Sequence, residues 1–274
     1  MKIEILYEDT NVLAINKPAG VMVHSDGRNK NKTITDWVLK NYPKMENVGE
    51  LMTVSVGGKE VEIKRPGVVH RLDKDTSGVL LLAKTKKMHE WLKAQFSAPA
   101  LAVSGENTNS NSEQFNSTDL ELESEPEEVK PGRIKKVYNA VVSGSVKNER
   151  GVVNKPIGRS PNDFRKWLSG RGARGELREA TTEYTVIKRF EEDGYKYTLL
   201  EIRPRTGRTH QIRVHMKYLN HPVVCDGLYN PGKPHPQGFT RLALHAKSIK
   251  FTDLKGEVIK IEAPLPEEFL NIKE

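Results

Sequence analysis

GVVHRLDKDTSGVLLLAK, the stretch from Gly67 to Lys84, holds an acidic pair, Asp73 and Asp75, between two short apolar runs. A glycine precedes each run, at Gly67 and Gly78, and this punctuation predicts a strand, a turn and a second strand rather than a helix. The stretch therefore places two carboxylates at a turn on the edge of an apolar core.

These carboxylates admit two interpretations. Burial would raise the pKa of such a group, whereas the neighbouring His70, Arg71 and Lys74 would lower it and keep the group charged for nucleophilic work. The simpler interpretation is a surface turn in which Asp75 bonds to local backbone. The residue pattern alone leaves both open, and we expect Asp75 to face away from any pocket that Asp73 occupies.

Composition favours a cytoplasmic protein. Hydrophobic residues make up 36 % of the chain, and no apolar run approaches the roughly 20 residues needed to span a bilayer. The N-terminus, MKIEILYEDT, is acidic where an export signal would be apolar. The lone cysteine, Cys225, excludes an internal disulfide and a cysteine-rich zinc site, and we expect a buried, inert thiol.

Charge is unevenly distributed along the chain. The net charge is +8, but residues 97–129 hold eight acids and no lysine or arginine, which leaves +16 on the rest. So basic a body suits a polyanion such as RNA. The segment 97–131 lacks apolar periodicity, and we expect a disordered acidic insertion. An inert surface loop is favoured over an acidic flap that competes for the basic groove.

The rest of the chain predicts strands with few helices. Residues 3–7 and 12–16 predict a hairpin, and Gly57-Gly58 marks the turn of another. Thr33 and Thr85 are suited to cap two helices. Consecutive strands favour antiparallel pairing, so the predicted fold class is α+β with a mostly antiparallel mixed sheet. Further strands are expected at 137–143, 181–190, 195–202 and 242–251, and a last one around 258–261.

Residues 150–178 form a basic arm with eight basic side chains, two acidic ones and the aromatics Phe164 and Trp167. This composition fits an RNA-contacting segment, and the simpler alternative is a solvated loop. The arm contains GRGARG, residues 170–175, which matches a dinucleotide fingerprint. That fingerprint needs a preceding strand and a following helix, which the surrounding residues do not supply, so we reject it.

A helix is predicted after Gly207, with Thr209 as its cap. His210 and His215 are five residues apart rather than four and have no acidic ligand beside them, so we predict no metal site. They are interpreted as packing or RNA-contact residues.

Five stretches of the sequence resemble the RluA-type RNA pseudouridine synthases and cover nearly the whole chain except the segment after Phe96. The resemblance implies one catalytic domain over residues 1–274, with no separate N-terminal RNA-binding module. Target selection would then come from the catalytic domain, the insertion and the basic arm. The stretches are NKPAGVMVH (Asn16 to His24), HRLDKDTSGVLLLAK (His70 to Lys84), KKVYNAVVSG (Lys135 to Gly144), RPRTGRTHQIRVHMKYLNHPVVCD (Arg203 to Asp226) and RLALHA (Arg241 to Ala246).

The resemblance also implies an activity, the isomerisation of uridine to pseudouridine in structured ribosomal or transfer RNA. It assigns the nucleophile to Asp73 and places Arg213 beside it as an ion-pair partner that keeps the carboxylate charged. It assigns Tyr138 to stacking on the uracil and to proton transfer. Whether Asp73 attacks C6 of the base or C1′ of the sugar stays open.

Substrate contacts are expected from residues around this trio. Arg71 is placed to fill the stack that a flipped uridine leaves, and Leu244, rather than Leu242, is expected to form the apolar wall. The full set of predicted substrate-binding residues is Arg71, His70, Leu244, Thr209 and Gln211. We expect a monomer that needs no cofactor, bound nucleotide or membrane. The alternatives are a non-catalytic RNA-binding or assembly protein on the same scaffold and, more weakly, a nucleoside hydrolase.

Overall fold

The computed structural model describes residues 1–27, 32–98, 132–170 and 172–272. The predicted insertion at 97–131 lies outside the described residues apart from its first two positions. The helices are α1 (Ile34–Asn41), α2 (Lys86–Ser97), α3 (Gln211–Tyr218) and α4 (Glu267–Leu270), with a short 3-10 turn at Pro43–Met45. The strands are β1 (Glu4–Glu8), β2 (Val12–Lys17), β3 (Leu51–Val56), β4 (Lys59–Lys64), β5 (Ser77–Ala83), β6 (Lys135–Ser143), β7 (Arg150–Asn154), β8 (Ile157–Arg159), β9 (Trp167–Ser169), β10 (Arg174–Arg178), β11 (Thr181–Glu192), β12 (Tyr195–Pro204), β13 (Leu244–Thr252) and β14 (Val258–Glu262).

One large sheet organises the described residues. Its nine strands run in the order β1-β2-β5-β13-β6-β12-β11-β7, with β14 paired to β13. Its strand pairs are antiparallel except β5 with β13, which is parallel. A mixed, mostly antiparallel sheet with few helices confirms the predicted α+β class. Two small sheets lie apart from it, β3-β4 and β10-β8-β9.

β13 approaches β5 closely at Gly78. A Cβ atom there would lie 2.2 Å from the Ala246 carbonyl oxygen, and the φ angle is +109°, so a side chain cannot be accommodated. In the same row, Ala246 pairs with Tyr138 on β6. The glycine therefore lets the strand that follows Asp73 and the strand that carries Tyr138 lie on either side of β13.

The next row of side chains turns to the opposite face of the sheet, because strand residues alternate. His245 is paired in register with Ser77 on one side and Asn139 on the other, and all three are buried. The His245 Nδ1 lies 2.9 Å from the Ser77 hydroxyl, and burial lowers the pKa of His245 to about 4. A neutral imidazole thus links β5 to β13 behind the pocket face.

Helix capping follows the sequence at two of three predicted positions. Thr33 and Asp36 form a reciprocal capping box at α1, and the Thr85 hydroxyl accepts from the Met88 N–H at α2. The prediction that Thr209 caps α3 was wrong. His210 occupies the cap position with φ of +55° and no side-chain cap bond, and the helix begins one residue later, at Gln211.

The first strand predicted for the central stretch was also wrong. Val68 and Val69 form no strand, and Val68 makes only an isolated bridge to Leu82. The backbone leaves the sheet here because the Leu81 N–H donates to the His70 Nε2 atom instead of to a neighbouring strand. The irregular segment from His70 to Thr76 is thereby free to form the wall of a cavity. Among the described residues, no helix combines the length and apolar character needed to cross a membrane.

Candidate active site

A cavity of about 300 Å³ opens where the irregular segment after His70 meets the start of α3. Its volume lies at the small end of the range for ligand sites. The walls come from stretches far apart in sequence that the sheet brings together. The lining residues that carry polar or charged chemistry are His70, Arg71, Asp73, Thr76, Arg133, Lys136, Tyr138, Arg205, Thr206, Arg208, Thr209, His210, Gln211 and Arg213.

Asp73 and Arg213 meet in this cavity although 140 residues separate them. The Arg213 Nη1 atom donates to the Asp73 Oδ2 atom at 3.1 Å, so the ion pair expected from the resemblance is present. The same guanidinium donates from Nε and Nη2 to Asp226, at 2.7 and 2.8 Å. Arg213 therefore holds two carboxylates at once, one in the cavity and one inside the protein.

The Asp226 pair anchors the guanidinium. Asp226 is fully buried and also accepts the backbone N–H groups of Leu228 and Tyr229. Although burial opposes the charge on Arg213, its hydrogen bonds and ion pairs with Asp226 and Asp73 raise its pKa above the ordinary value. The arginine is thus a permanently charged, fixed donor to Asp73.

A second cation lies behind the Asp73 turn. Lys17 is fully buried, and its Nζ atom donates to the carbonyl oxygens of Pro18, Val21 and Lys74 at 2.7 to 2.9 Å. Three donated bonds use all three protons of an ammonium group. Burial lowers the pKa of Lys17 to about 7, and the negative charges of Asp75 and Asp73 oppose that shift. Lys17 therefore ties the aspartate turn to the end of β2.

Tyr138 and Leu244 line the cavity from the sheet, on β6 and β13. The Tyr138 side chain is largely buried, and burial together with the negative charge of Asp73 raises its pKa above the ordinary value. Its phenol group accordingly keeps its proton at neutral pH. Leu242 is buried in the main core and does not line the cavity.

His210 connects Asp73 to the basic arm. The Tyr229 hydroxyl accepts the Trp167 N–H at 2.9 Å and lies within hydrogen-bond distance, 3.0 Å, of the His210 Nδ1 atom. The other nitrogen, Nε2, lies 4.0 Å from the Asp73 Oδ2 atom. Burial lowers the pKa of His210, so the ring is neutral at neutral pH.

The far wall of the cavity is cationic. Lys136, Arg133, Arg205 and Arg208 line it, and burial, with a smaller effect of Arg133, lowers the pKa of Lys136 to about 8. The Arg133 Nη1 atom is buried and, within the described residues, has no hydrogen-bond partner. Since a buried charged donor is rarely left unpaired, this wall is suited to an anionic group of a ligand.

The other predicted substrate contacts differ in what their side chains do. Arg71 is exposed at the cavity, and no hydrogen bond involves its side chain within the described part of the chain. The His70 ring stacks on Phe96 at 4.8 Å, and burial lowers its pKa to about 3, so it is a neutral packing group at the rim. Thr209 lines the cavity before α3.

Gln211 is engaged with protein on every side of its amide. Its oxygen accepts from the Thr206 hydroxyl and the Arg208 N–H, and its nitrogen donates to the Thr181 carbonyl and the Thr182 hydroxyl. The side chain therefore shapes the loop before α3, with its own polar atoms already paired.

A second cavity, of about 530 Å³, lies between the Asp73 turn and the β3-β4 hairpin. Asp75 and Asp73 both line it, whereas only Asp73 lines the first cavity. The expectation that Asp75 faces away was therefore only partly right. Lys74 and Asp75 form a turn instead of extended backbone, and in extended backbone residues two apart would share a face rather than oppose each other.

Three important residues of the site were not singled out from the sequence. Asp226 ends the stretch that begins at Arg203, and Lys17 lies in the stretch that begins at Asn16, but the residues around them give no sign that either is buried. Tyr229 lies outside the stretches that resemble the family. His215, by contrast, bonds to Thr182 and the Lys155 carbonyl, as expected for a packing histidine. The described residues hold no group of three His, Cys, Asp or Glu side chains placed to bind a metal ion.

Comparison with known proteins connects this site to one family. A family profile described as RNA pseudouridylate synthase matches residues 11–218. The uncharacterized RNA pseudouridine synthase YlyB of Bacillus subtilis is 32 % identical over 275 residues, covering 100 % of this chain and 73 % of that protein. Ribosomal large subunit pseudouridine synthase D of Xanthomonas campestris is 34 % identical, covering 97 % and 67 %.

Solved structures agree in fold. The human RNA Pseudouridylate Synthase Domain Containing 4 protein has a TM-score of 0.63 at 25 % identity, covering 97 % of this chain and 90 % of that one. Its human relative, Domain Containing 1, has a TM-score of 0.64 at 21 % identity, covering 97 % and 84 %. Both carry the same sheet architecture across nearly the whole of this chain.

Proposed function

This chain belongs to the RNA pseudouridylate synthase family, and from that premise we propose that it isomerises specific uridines in structured ribosomal RNA with Asp73 as nucleophile. The observation that carries the proposal is the meeting of Asp73, Arg213 and Tyr138 around one cavity. Ribosomal RNA is favoured because several relatives are named as ribosomal large subunit enzymes. Transfer RNA is the alternative substrate.

The reaction is an isomerisation, so nothing is gained or lost overall. The bond between N1 of uracil and C1′ of ribose breaks, the base turns, and a bond from C5 to C1′ forms. The proton on C5 leaves and N1 acquires one. The site must therefore supply a carboxylate next to the sugar and base, a pocket that retains the free uracil, and a group that moves a proton.

Asp73 is suited to the first task. Arg213, itself held by Asp226, donates one hydrogen bond to the Asp73 Oδ2 atom and so fixes the carboxylate. The other acceptor positions of the carboxylate remain available to a substrate. A preorganised group of this kind does not have to be reoriented during the reaction. The argument is the same for attack at C6 of the base and for attack at C1′ of the sugar.

Tyr138 and Leu244 are proposed to hold the uracil. An aromatic ring on one side and an aliphatic side chain on the other retain a flat base whichever edge it presents. Because the phenol keeps its proton, its hydroxyl is proposed to act as a relay: its oxygen accepts the proton that leaves C5 while its own proton passes to solvent.

Access to this pocket requires the uridine to leave its stack, at a cost of a few kcal/mol. Arg71, exposed at the mouth and free of side-chain hydrogen bonds among the described residues, is proposed to occupy the vacated position. The cationic wall of Lys136, Arg133, Arg205 and Arg208 is proposed to bind the flanking phosphates. Thr209 is proposed to contact the substrate, and His70 and Gln211 to shape the rim.

The test is pseudouridine mapping by carbodiimide modification in cells that carry the gene, with wild-type protein or Asp73→Ala. A ribosomal RNA position that is modified in wild-type cells and unmodified in the variant supports the proposal. Asp75→Ala is the matched control, since its carboxylate lies two residues away and lines only the second cavity. Release of free uracil without pseudouridine, or a site that persists in Asp73→Ala cells, would contradict it.

A further inference from the structure

Phe164 is the most exposed large hydrophobic side chain among the described residues, with 76 % of its surface accessible. It lies at the tip of the β8-β9 hairpin, where a ring held in water adds little to stability. The hairpin belongs to the basic arm at 150–178, whose eight basic and two acidic residues give it a net charge of +6.

Polar contacts order the loop that carries this ring. The Ser160 N–H donates to the Lys166 carbonyl, and the Lys166 N–H donates to the Asp163 carbonyl. The Arg165 side chain grips the Asp163 carboxylate through Nε at 3.0 Å and Nη2 at 2.9 Å. The loop is therefore closed across its base and braced inside, so the ring at its tip is presented by a preformed scaffold.

Arg159 fixes the backbone of Phe164 itself. Its Nη1 atom donates to the Phe164 carbonyl at 2.8 Å, while its guanidinium lies 4.2 Å from the centre of the Trp167 ring. Arg159 and Trp167 face each other in the strand pair next to the tip of the hairpin. These contacts fix the backbone at Phe164 and leave its ring exposed.

The end of the hairpin nearest its tip is joined to the active-site cavity. The Trp167 N–H donates to the Tyr229 hydroxyl, which contacts His210 beside Asp73. A substrate seated over Asp73 therefore has the arm at a fixed position next to it. A charged arm with one preordered aromatic ring combines phosphate attraction with a flat apolar face.

We propose that Phe164 is a stacking platform for an unpaired nucleobase of the RNA, outside the catalytic cavity. The inference rests on the proposed function for its substrate class. It adds a second base-binding position, selective for unpaired over paired RNA, because a base within a duplex has no free face to offer the ring. Lys166 and the other arm cations supply the sequence-independent attraction around it.

The experiment measures binding of two fluorescein-labelled probes to the intact chain, an RNA stem-loop with an unpaired loop and the blunt duplex of its stem. Phe164→Ala is expected to weaken stem-loop binding roughly 5- to 100-fold, the effect of one lost base–aromatic stack. Its salt dependence should be unchanged, because no phosphate contact is removed. Duplex binding should not change, and Phe164→Trp should bind the stem-loop as wild type does.

Tyr195→Ala is the matched control, since this tyrosine is also exposed, at 51 %, but lies at the turn between β11 and β12 outside the arm. It should bind both probes normally. Equal losses on both probes, or a Phe164→Leu variant that binds as wild type, would overturn the platform. A change in self-association by sedimentation with unchanged RNA binding would instead indicate a protein contact, and would equally overturn it.

Failure of the proposed function is separable from failure of the platform. Pseudouridine formation by the wild-type chain, on RNA from cells that lack the gene, is measured in parallel. Its absence contradicts the proposed function, whereas the stem-loop and duplex comparison decides the platform by itself.

Discussion

The Arg213 guanidinium forms two ion pairs in different surroundings, one with Asp226 inside the protein and one with Asp73 at the cavity. On the inner side, Asp226 is fully buried and accepts two bonds from the guanidinium and two from backbone. On the outer side, Asp73 is partly exposed and accepts one, at 3.1 Å. The inner pair uses its carboxylate completely, whereas the outer pair leaves oxygen lone pairs directed to the cavity.

This difference fits a structural role for Asp226 and the reactive role proposed for Asp73. A buried ion pair costs desolvation and is retained only when its hydrogen bonds are complete, as they are at Asp226. The inner aspartate therefore fixes the arginine, and the arginine in turn fixes Asp73 without enclosing it. The comparison predicts that substitution of Asp226 will mainly lower stability, whereas substitution of Asp73 will mainly lower activity.

The largest effect is expected at the outer carboxylate. Asp73→Asn should lower kcat/KM at least about 10⁴-fold, the scale on which removal of a nucleophile acts. Stability should change by less than about 1 kcal/mol, because the pair is partly solvated and Asp226 still neutralises Arg213. Single-turnover assays and urea unfolding measure the two quantities. A large loss of stability in this variant would end the distinction between the two regions.

The inner carboxylate should behave in the opposite way. Asp226→Asn keeps the shape of the side chain but leaves a buried guanidinium without its main partner, which should cost about 3–5 kcal/mol of unfolding free energy. The urea midpoint is the measurement, with Asp253→Asn, at the turn before β14, as a control for an aspartate outside the site. If Asp226→Asn unfolds at the wild-type midpoint, the inner pair is not the anchor.

Tyr138→Phe sharpens the description of the outer region. The ring that covers the base remains, but the hydroxyl is lost, so kcat should fall roughly 10²-fold with KM little changed. Tyr138→Leu should in addition raise KM, because stacking is lost as well. Steady-state kinetics on a stem-loop substrate separates the two contributions, and equal KM values for both variants would argue against stacking.

The smallest effect concerns pH and the cationic wall. Because the pKa of Lys136 is lowered to about 8, its side chain is protonated below that pH and neutral above it. RNA affinity should therefore fall roughly tenfold as pH rises from about 7 to about 9, the effect of one charged hydrogen bond to phosphate. Lys136→Arg stays protonated and should bind with the same affinity at both values. A wild-type affinity that is independent of pH would contradict this.

The sequence predicted most of the fold because its signals are local. Alternation located most strands of the large sheet, Thr33 and Thr85 marked two helix starts, and Gly57-Gly58 marked a turn, but β7 to β10 within residues 150–178 were not predicted. The errors have local causes as well. His210 takes the cap position in a left-handed conformation that propensity does not anticipate. Val68 makes only an isolated bridge to Leu82, and the N–H of the neighbouring Leu81 donates to the His70 ring.

The site was less accessible to prediction. Asp73, Tyr138 and Arg213 were found because stretches of sequence resembled a family, whereas composition and spacing left each with an ordinary alternative. Lys17 and Asp226 are buried charges whose partners are set by tertiary contacts, and nothing within a few residues of either distinguishes them from surface side chains.

The position of β13 in the sheet has a consequence for how the protein comes into being. This strand lies between β5 and β6 but follows both by more than a hundred residues, since His245 pairs with Ser77 and Asn139. While the ribosome is still adding the residues before Leu244, β2 and β5 have no bridge to β6 and β12. The two halves of the sheet, β1-β2-β5 and β6-β12-β11-β7, are joined only when β13 pairs with both β5 and β6. Pairing between strands so far apart in sequence is slow. A competent site therefore cannot form before the residues of β13 have been synthesised.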